Sequence, residues 1–143
     1  MMIWEMLIDR HLTANEVVTT VSKLLLIPVA DILVIDDITS VRVDLKTKVV
    51  CENTAIGGDF PMMLSIYLRD PNLGELDIKA STGQFSGMLR CKCLISDESV
   101  NPYSWLLIQG TTDCQIVYLD PDKLDENEEY VVKTSEVLQA ITN

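Results

Sequence analysis

The sequence predicts a single-domain α+β fold, in which helices pack on a mixed, mostly antiparallel sheet. Several segments alternate apolar and polar residues, as strands with one buried face do, and one segment combines a complete helix start signal with helical spacing. The 143 residues, of which 48% are hydrophobic and 23% charged, suit one globular domain. The predicted element order is β-α-β-β-β-α-β-β-β-α over residues 1–143.

The first helix has the clearest signal. Thr13 is in the N-cap position and Glu16 follows three residues later, which is the capping-box pattern. Leu12 and Val17 occupy the two positions of a hydrophobic staple. Apolar residues then repeat at helical spacing until Pro28, which ends the helix.

Two apolar runs flank this helix. Residues 2–8 are almost continuously apolar, which favours a strand buried on both faces, and residues 31–37 form a second run. Strand, helix and strand in succession predict a crossover unit with parallel strands.

The pattern alternates from residue 41 onward. Residues 41–52 alternate apolar and polar side chains, and residues 60–68 alternate again after a loop that contains Gly57 and Gly58. This predicts a pair of antiparallel strands within residues 41–69, with one face exposed to solvent.

A second helix is predicted over residues 75–89. Gly83 and Gly87 each weaken it by up to about 1 kcal/mol relative to alanine, unless their small size allows close packing on the sheet. Three short strands and a closing helix follow, and the last two strands form a hairpin. The strands are predicted at 91–96, 104–109 and 114–119, and the closing helix at 134–141.

Negative charge is concentrated in the last third of the chain. Residues 94–143 hold ten acidic residues against two lysines, which is −8 of the net charge of −11. Nucleic acid and anionic membranes are therefore not expected as direct partners, because both are bound through Lys and Arg. No apolar run is long enough to span a bilayer and no signal peptide is recognised, so a cytoplasmic protein is expected.

The residues that could support catalysis do not form a known motif. Each of the four cysteines, Cys51, Cys91, Cys93 and Cys114, lies where a small hydrophobic residue would fit, which predicts buried free thiols. An enzyme would have to use a cysteine with His11, the single histidine, or Asp36 and Asp37 with a metal ion. We expect no cofactor and no catalytic residue.

The acidic segment 120–129 does not fit a calcium-binding loop. Aligned from Asp120, its fifth, sixth and twelfth positions are Leu124, Asp125 and Val131, where the loop needs an oxygen ligand, a glycine and a glutamate. The segment is therefore interpreted as a solvated loop or a partner-binding surface.

A partner-binding site is predicted where acidic and aromatic residues meet. Tyr and Trp dominate interface hot spots, although Trp105 could instead pack in the core. If the last two strands pair as a hairpin, residues 97–98 and 120–129 gather at its open end. The candidate residues are Asp120, Asp122, Asp125, Glu126, Glu128, Glu129, Asp97, Glu98, Tyr103, Trp105 and Tyr130.

A short, acidic α+β chain without a catalytic motif resembles the small bacterial toxin-immunity proteins of contact-dependent inhibition systems. The resemblance implies a non-enzymatic protein whose carboxylates mimic phosphate and cover the active site of a basic, nuclease-type toxin. A secretion chaperone is the alternative within the same class, since chaperones are also small, acidic and α+β. A chaperone would form a homodimer and bind an extended segment of its client.

Overall fold

The predicted α+β fold with a mixed, mostly antiparallel sheet is confirmed. A computed structural model describes residues 1–36 and 43–137, the last four of these by their backbone alone. The elements are β1 Met2–Ile8, α1 Ala14–Leu25, β2 Ile32–Ile35, β3 Val49–Ala55, β4 Gly57–Gly58, β5 Met62–Leu68, α2 Ile78–Leu89, β6 Cys93–Ser96, β7 Ser104–Gln109, β8 Asp113–Leu119, α3 Pro121–Asn127, β9 Glu129–Tyr130 and β10 Val132–Val137.

Eight of these strands form one sheet in the order β10-β8-β7-β6-β1-β5-β3-β2, while β4 and β9 form a small parallel pair. Only β2 and β3 are parallel neighbours in the described part of the sheet. Because β1 is antiparallel to β5, and β5 to β3, β1 and β2 point the same way. The predicted crossover through α1 is therefore confirmed, with β5 and β3 lying between its two strands.

The predicted capping box starts α1. Thr13 Oγ1 accepts a hydrogen bond from the Glu16 amide at 3.1 Å, and Glu16 Oε1 accepts one from the Thr13 amide at 3.0 Å. Leu12 and Val17 are both buried in the same core cluster, as a hydrophobic staple requires. The helix start is thus fixed by reciprocal polar bonds on one side and apolar packing on the other.

The helix α2 packs on β1 through a buried aromatic contact. The indole of Trp4 donates a hydrogen bond from Nε1 to Thr82 Oγ1 at 3.0 Å. Its ring meets that of Phe85 edge-on, with centroids 5.9 Å apart. All three side chains are fully buried, so the one polar group of the indole is satisfied inside the core.

The two faces of the sheet are covered differently. α1 and α2 lie over one face, where alternate residues of β1, namely Trp4, Met6 and Ile8, are buried with them. Leu7 of β1 points to the opposite face, where a smaller cluster includes Phe60, Leu124 of α3 and Tyr130 of β9. We call these the helix face and the second face.

The predicted burial of β1 on both faces is wrong for its first half. Ile3 is 47% exposed and Glu5 is also exposed, whereas residues 6–8 are buried. β1 pairs with β5 along its whole length but with β6 only at Leu7 and Ile8. The first half of the strand therefore has a neighbour on one side only, and its second face is open.

The predicted strand at 41–52 starts later than expected. Residues 43–48 form a loop, because Asp44 accepts hydrogen bonds from the amides of Lys46 and Thr47 and closes a turn. The regular strand runs over Val49–Ala55 and pairs with Met62–Leu68 in the predicted antiparallel sense. Residues 41–42 lie outside the described residues.

Two predictions near the C-terminus are corrected. The acidic segment contains a helix, α3, since Asp120 caps it by accepting bonds from the amides of residues 122 and 123, and Pro121 suits its first position. The closing helix at 134–141 is wrong over 134–137, where β10 pairs with β8. Residues 131–137 are rich in β-branched side chains, and β8 offers them an open edge. Residues 138–141 lie outside the described residues.

The capping box gives a direct test of α1. We expect Thr13→Ala to lower the free energy of unfolding by about 1 kcal/mol, because the Glu16 amide loses its acceptor. Thr13→Ser keeps the hydroxyl and should stay close to the wild type. Urea unfolding followed by circular dichroism measures both, and equal stability of the two variants would rule out the cap.

The two glycines of α2 should respond in opposite ways to alanine. A Cβ at Gly83 would lie 2.9 Å from the backbone oxygen of Gly110, whereas at Gly87 the nearest atom is 3.7 Å away. Gly83→Ala should therefore cost about 1–3 kcal/mol by overpacking. Gly87→Ala should be neutral or stabilise by up to about 1 kcal/mol through helix propensity. Urea unfolding measures the change in the free energy of unfolding for each variant. A loss of stability in Gly87→Ala as large as that in Gly83→Ala would contradict the prediction.

Candidate functional site

An aromatic pair stands at the centre of the second face. Trp105 of β7 and Tyr130 of β9 meet edge-on, with ring centroids 5.9 Å apart and an interplanar angle of 80°. Trp105 Nε1 donates to the backbone oxygen of Pro102 at 3.0 Å. Both side chains are half-buried, so Trp105 packs in a core cluster and still has part of its surface exposed.

The acidic helix α3 is held beside this pair by Tyr103. The hydroxyl of Tyr103 donates to Asp125 Oδ2 at 2.7 Å. Its backbone oxygen accepts from the Leu119 amide at 2.8 Å, which fixes the chain just before the helix. On the inner side of α3, Leu124 packs into the same cluster as Tyr103 and Trp105. The predicted acidic and aromatic residues of this region are therefore brought together.

Two further carboxylates on the second face were not predicted. Glu5, Ser65 and Glu52 lie side by side on β1, β5 and β3, and Ser65 Oγ donates to Glu5 Oε2 at 3.1 Å. Tyr67 Oη donates to Glu52 Oε1 at 3.1 Å. The alternation of β3 and β5 indicates where Glu52 and Tyr67 lie. Alternate side chains of a strand point to opposite faces, and both residues occupy positions that point to the second face.

Three tyrosines of this surface have raised pKa values. Burial, followed by the hydrogen bond to Glu52, raises the pKa of Tyr67. The hydrogen bond to Asp125 is the main cause for Tyr103. Burial raises the pKa of Tyr130, and the negative charges of Glu5 and Glu128 add to it. Carboxylates of β1 and β3, and of α3 and its C-terminal end, therefore all act on these three tyrosines.

We call this surface the acidic-aromatic face. Its aromatic members project from strands or, for Tyr103, from the turn just before β7, and its acidic members come from strands and from α3 and its C-terminal end. It consists of Tyr67, Tyr103, Trp105, Tyr130, Glu5, Glu52, Asp125 and Glu128.

The other acidic candidates of this region have different surroundings. Asp122 and Glu126 are exposed on α3 and extend its negative surface. Glu129 lies in β9, where it pairs with Gly57 and is half-buried. Asp120 caps α3, so its carboxylate is engaged by the helix start and is not free for a partner.

Asp97 and Glu98 lie at the open end of the β7–β8 hairpin, as predicted, but Asp97 points to the opposite face from the α3 acids. Its carboxylate accepts a hydrogen bond from Ser104 Oγ, and Ser104 shares the helix face with Ile108. Glu5, Asp97 and Glu98 line a cavity of about 360 Å³ in the gap between β1 and β6, together with Lys79.

Partial burial pushes the pKa of Asp97 upward, but hydrogen bonds from Ser104 and Ser99 outweigh it and lower this pKa overall. The Ser99 amide donates to Asp97 Oδ1 at 3.0 Å. Asp97 is therefore ionised over a wider range of pH than an ordinary aspartate.

The groups considered for catalysis are dispersed. Cys51, Cys91 and Cys93 are buried, Cys114 is half-buried, and all four are free thiols. His11 is exposed, and no hydrogen bond joins it to a cysteine among the described residues. Within the same part of the chain, no group of three or more His, Cys, Asp or Glu residues is placed to hold a metal ion. Asp37 lies outside the described residues.

Known proteins add no further information on this site. Comparison of the chain with protein-family models, with curated proteins and with solved structures finds no match. Over the described residues, no helix has the length and apolar character needed to cross a membrane. The contacts of the acidic-aromatic face are therefore the basis on which we propose a function.

The bond between Ser104 and Asp97 predicts a pH-dependent contribution to stability. Since the pKa of Asp97 is lowered by folding, its contribution is present above the ordinary aspartate pKa and is lost as the pH falls through the folded value. Ser104→Ala should raise this pKa and lower the stability at neutral pH, and the difference from wild type should shrink in acid. Urea unfolding across acidic pH, with carboxyl-carbon NMR of Asp97, measures both effects. A pKa unchanged in the variant would contradict the assignment.

Proposed function

We propose that this chain is a non-enzymatic protein-binding module that uses its acidic-aromatic face to dock on a basic surface of another protein. One observation carries the proposal: Trp105 and Tyr130 pack edge-on in this face, while the hydroxyls of Tyr67 and Tyr103 donate to the carboxylates of Glu52 and Asp125. Such a face presents aromatic surface inside a negative field. A cationic protein surface complements both properties.

The aromatic residues supply the area that a stable interface needs. Trp and Tyr are enriched at interface hot spots because they bury a large area with few rotatable bonds. Trp105 and Tyr130 are already held by their mutual contact, and the Trp105 indole is oriented by Pro102. Because these rings are pre-organised, little conformational entropy is lost when a partner covers them.

The carboxylates increase the rate of association and the selectivity for a basic partner. A surface of one charge steers an oppositely charged partner during the encounter and disfavours partners of like charge. Asp125 bonds Tyr103 and Asp122 also acts on it, Glu5 and Glu128 act on Tyr130, and Glu126 is exposed on α3. This distribution matches an interface with an aromatic centre and a charged rim.

The partner class that fits this surface best is a basic toxin of nuclease type, and the chain is then the cytoplasmic immunity protein that neutralises it. A nuclease binds phosphate through clustered basic residues, so its active site attracts carboxylates in the same way. The net charge of −11 supports the proposal. So does the resemblance in size, charge and fold class to immunity proteins of contact-dependent inhibition systems.

Reversing the charge at the C-terminal part of α3 tests the role of the carboxylates. The variant carries Lys at Asp125, Glu126, Glu128 and Glu129, and the partner is the basic toxin that we expect the neighbouring gene to encode. We expect its association rate constant to fall by about tenfold or more at low salt, with a flatter salt dependence. Stopped-flow association at several salt concentrations measures both, and a nuclease assay measures the loss of inhibition.

A control variant with the same change in net charge separates a local effect from a general one. It carries Lys at Asp36, Asp44 and Glu75, which lie in loops or turns, and at Asp113, the first residue of β8, all outside α3 and its C-terminal end. Its association rate should stay much closer to that of wild type. Equal rates for wild type and the α3 variant would remove these acids from the interface. A homodimer that binds only an extended segment of the partner would favour a secretion chaperone.

A further inference from the structure

Two cysteines on the helix face lie close enough to react with each other. Cys91 Sγ and Cys93 Sγ are 3.9 Å apart at the start of β6. Both side chains belong to the core cluster under α1 and α2, whereas Lys92 between them is exposed. Residues two apart on an extended backbone share a face, which explains why the two thiols point into the same space.

The two thiols differ in their access to solvent. Cys91 is 5% exposed and lines an open cavity of about 390 Å³ together with Arg90, Lys92 and Gln109. Cys93 has no exposed surface. A small molecule that enters this cavity therefore reaches the sulfur of Cys91 first.

The same contact makes the pair chemically asymmetric. Either sulfur can donate in this contact; when the Cys93 thiol donates, it stabilises the Cys91 thiolate and lowers the pKa of Cys91, against the effect of burial. The guanidinium of Arg10, held nearby by its bond to the Leu89 oxygen at 2.7 Å, adds to this stabilisation, whereas the carboxylates of Asp9 and Glu16 oppose it. The hydrogen bond between the two sulfurs and the complete burial of Cys93 raise the pKa of Cys93. Cys91 is thus the nucleophile and Cys93 the proton-bearing neighbour.

We propose that Cys91 and Cys93 form a redox-active dithiol that reacts with hydrogen peroxide or a small organic hydroperoxide. The Cys91 thiolate attacks one peroxide oxygen, the O–O bond breaks, and the leaving oxygen takes up a proton as water or an alcohol. Cys91 becomes a sulfenic acid, oxidised by two electrons, while the peroxide is reduced. The Cys93 sulfur then attacks the Cys91 sulfur, the S–O bond breaks, and water leaves with the Cys93 proton.

The product is a disulfide that spans a single intervening residue. The two sulfurs must approach from 3.9 Å to about 2.05 Å, and Cys91 lies just outside the regular strand. A disulfide in such a small ring is strained, and strained disulfides are reduced readily by thiols. The pair is therefore a reversible redox site and not a structural cross-link.

Oxidation of the wild-type protein tests the proposal without any substitution. The native protein is treated with hydrogen peroxide, denatured, alkylated with N-ethylmaleimide and digested with trypsin. Trypsin cleaves after Arg90 and Lys92, so the disulfide would tether the dipeptide Cys91-Lys92 to the peptide that begins at Cys93. We expect this linked product, loss of two of the four free thiols, and recovery of both thiols with dithiothreitol.

Three variants assign the roles and supply the control. Cys93→Ser should accumulate a sulfenic acid at Cys91 that dimedone traps, and Cys91→Ser should lose the two-thiol oxidation. Cys51→Ser should oxidise like wild type, because burial raises the pKa of Cys51 to about 12. Four free thiols remaining in peroxide-treated wild type would overturn the proposal, as would a disulfide that joins Cys114.

Discussion

The contact between Trp4 and α2 holds the two halves of this fold together. β1 pairs with β5 along seven residues but with β6 through Leu7 and Ile8 only, so the sheet is narrowly joined at its centre. α2 bridges the junction on the helix face, where Trp4 meets Phe85 and donates to Thr82. The β4–β9 pair and the hydrogen bonds between Asp9 and Lys92 join the same two halves, and the buried Trp4 contact acts with them to fix the orientation of one half relative to the other.

The acidic-aromatic face depends on this junction. Glu5, Glu52 and Tyr67 belong to the β1-β5-β3 half of the sheet, whereas Trp105 and Tyr103 belong to the β6-β7-β8 half. Tyr130 packs in one cluster with Leu7 of β1 and Trp105 of β7, so the two halves meet at its ring. A change in the angle between the halves would separate the carboxylates from the aromatic centre.

Local signals predicted much of the fold. The capping box at Thr13, the alternation over residues 60–68 and the hairpin of β7 and β8 are all specified by neighbouring residues, so the sequence reveals them. The start of β3 and the identity of β10 were missed because a turn at Asp44 and the open edge of β8 decided them. The Asp120-Pro121 pair is a helix-start signal, but the acidic residues that follow it match a solvated loop equally well.

The candidate site was predictable as a set of residues and not as a surface. The aromatic and acidic residues near 103–130 are close in sequence and indeed lie together, but the side on which Asp97 points depends on strand register. Glu5 lay inside an apparently buried run, and only the divergence of β1 from β6 exposes it. Which carboxylates share a face depends on long-range strand pairing, and that pairing cannot be predicted from a single sequence.

Amide hydrogen exchange tests the account most directly. The chain would be measured alone and in complex with the basic protein of the neighbouring gene. The account predicts slower exchange on binding at α3, at residues 101–104 and at β9, all on or beside the acidic-aromatic face. Slower exchange confined to α1 and α2, on the opposite side of the sheet, would contradict it.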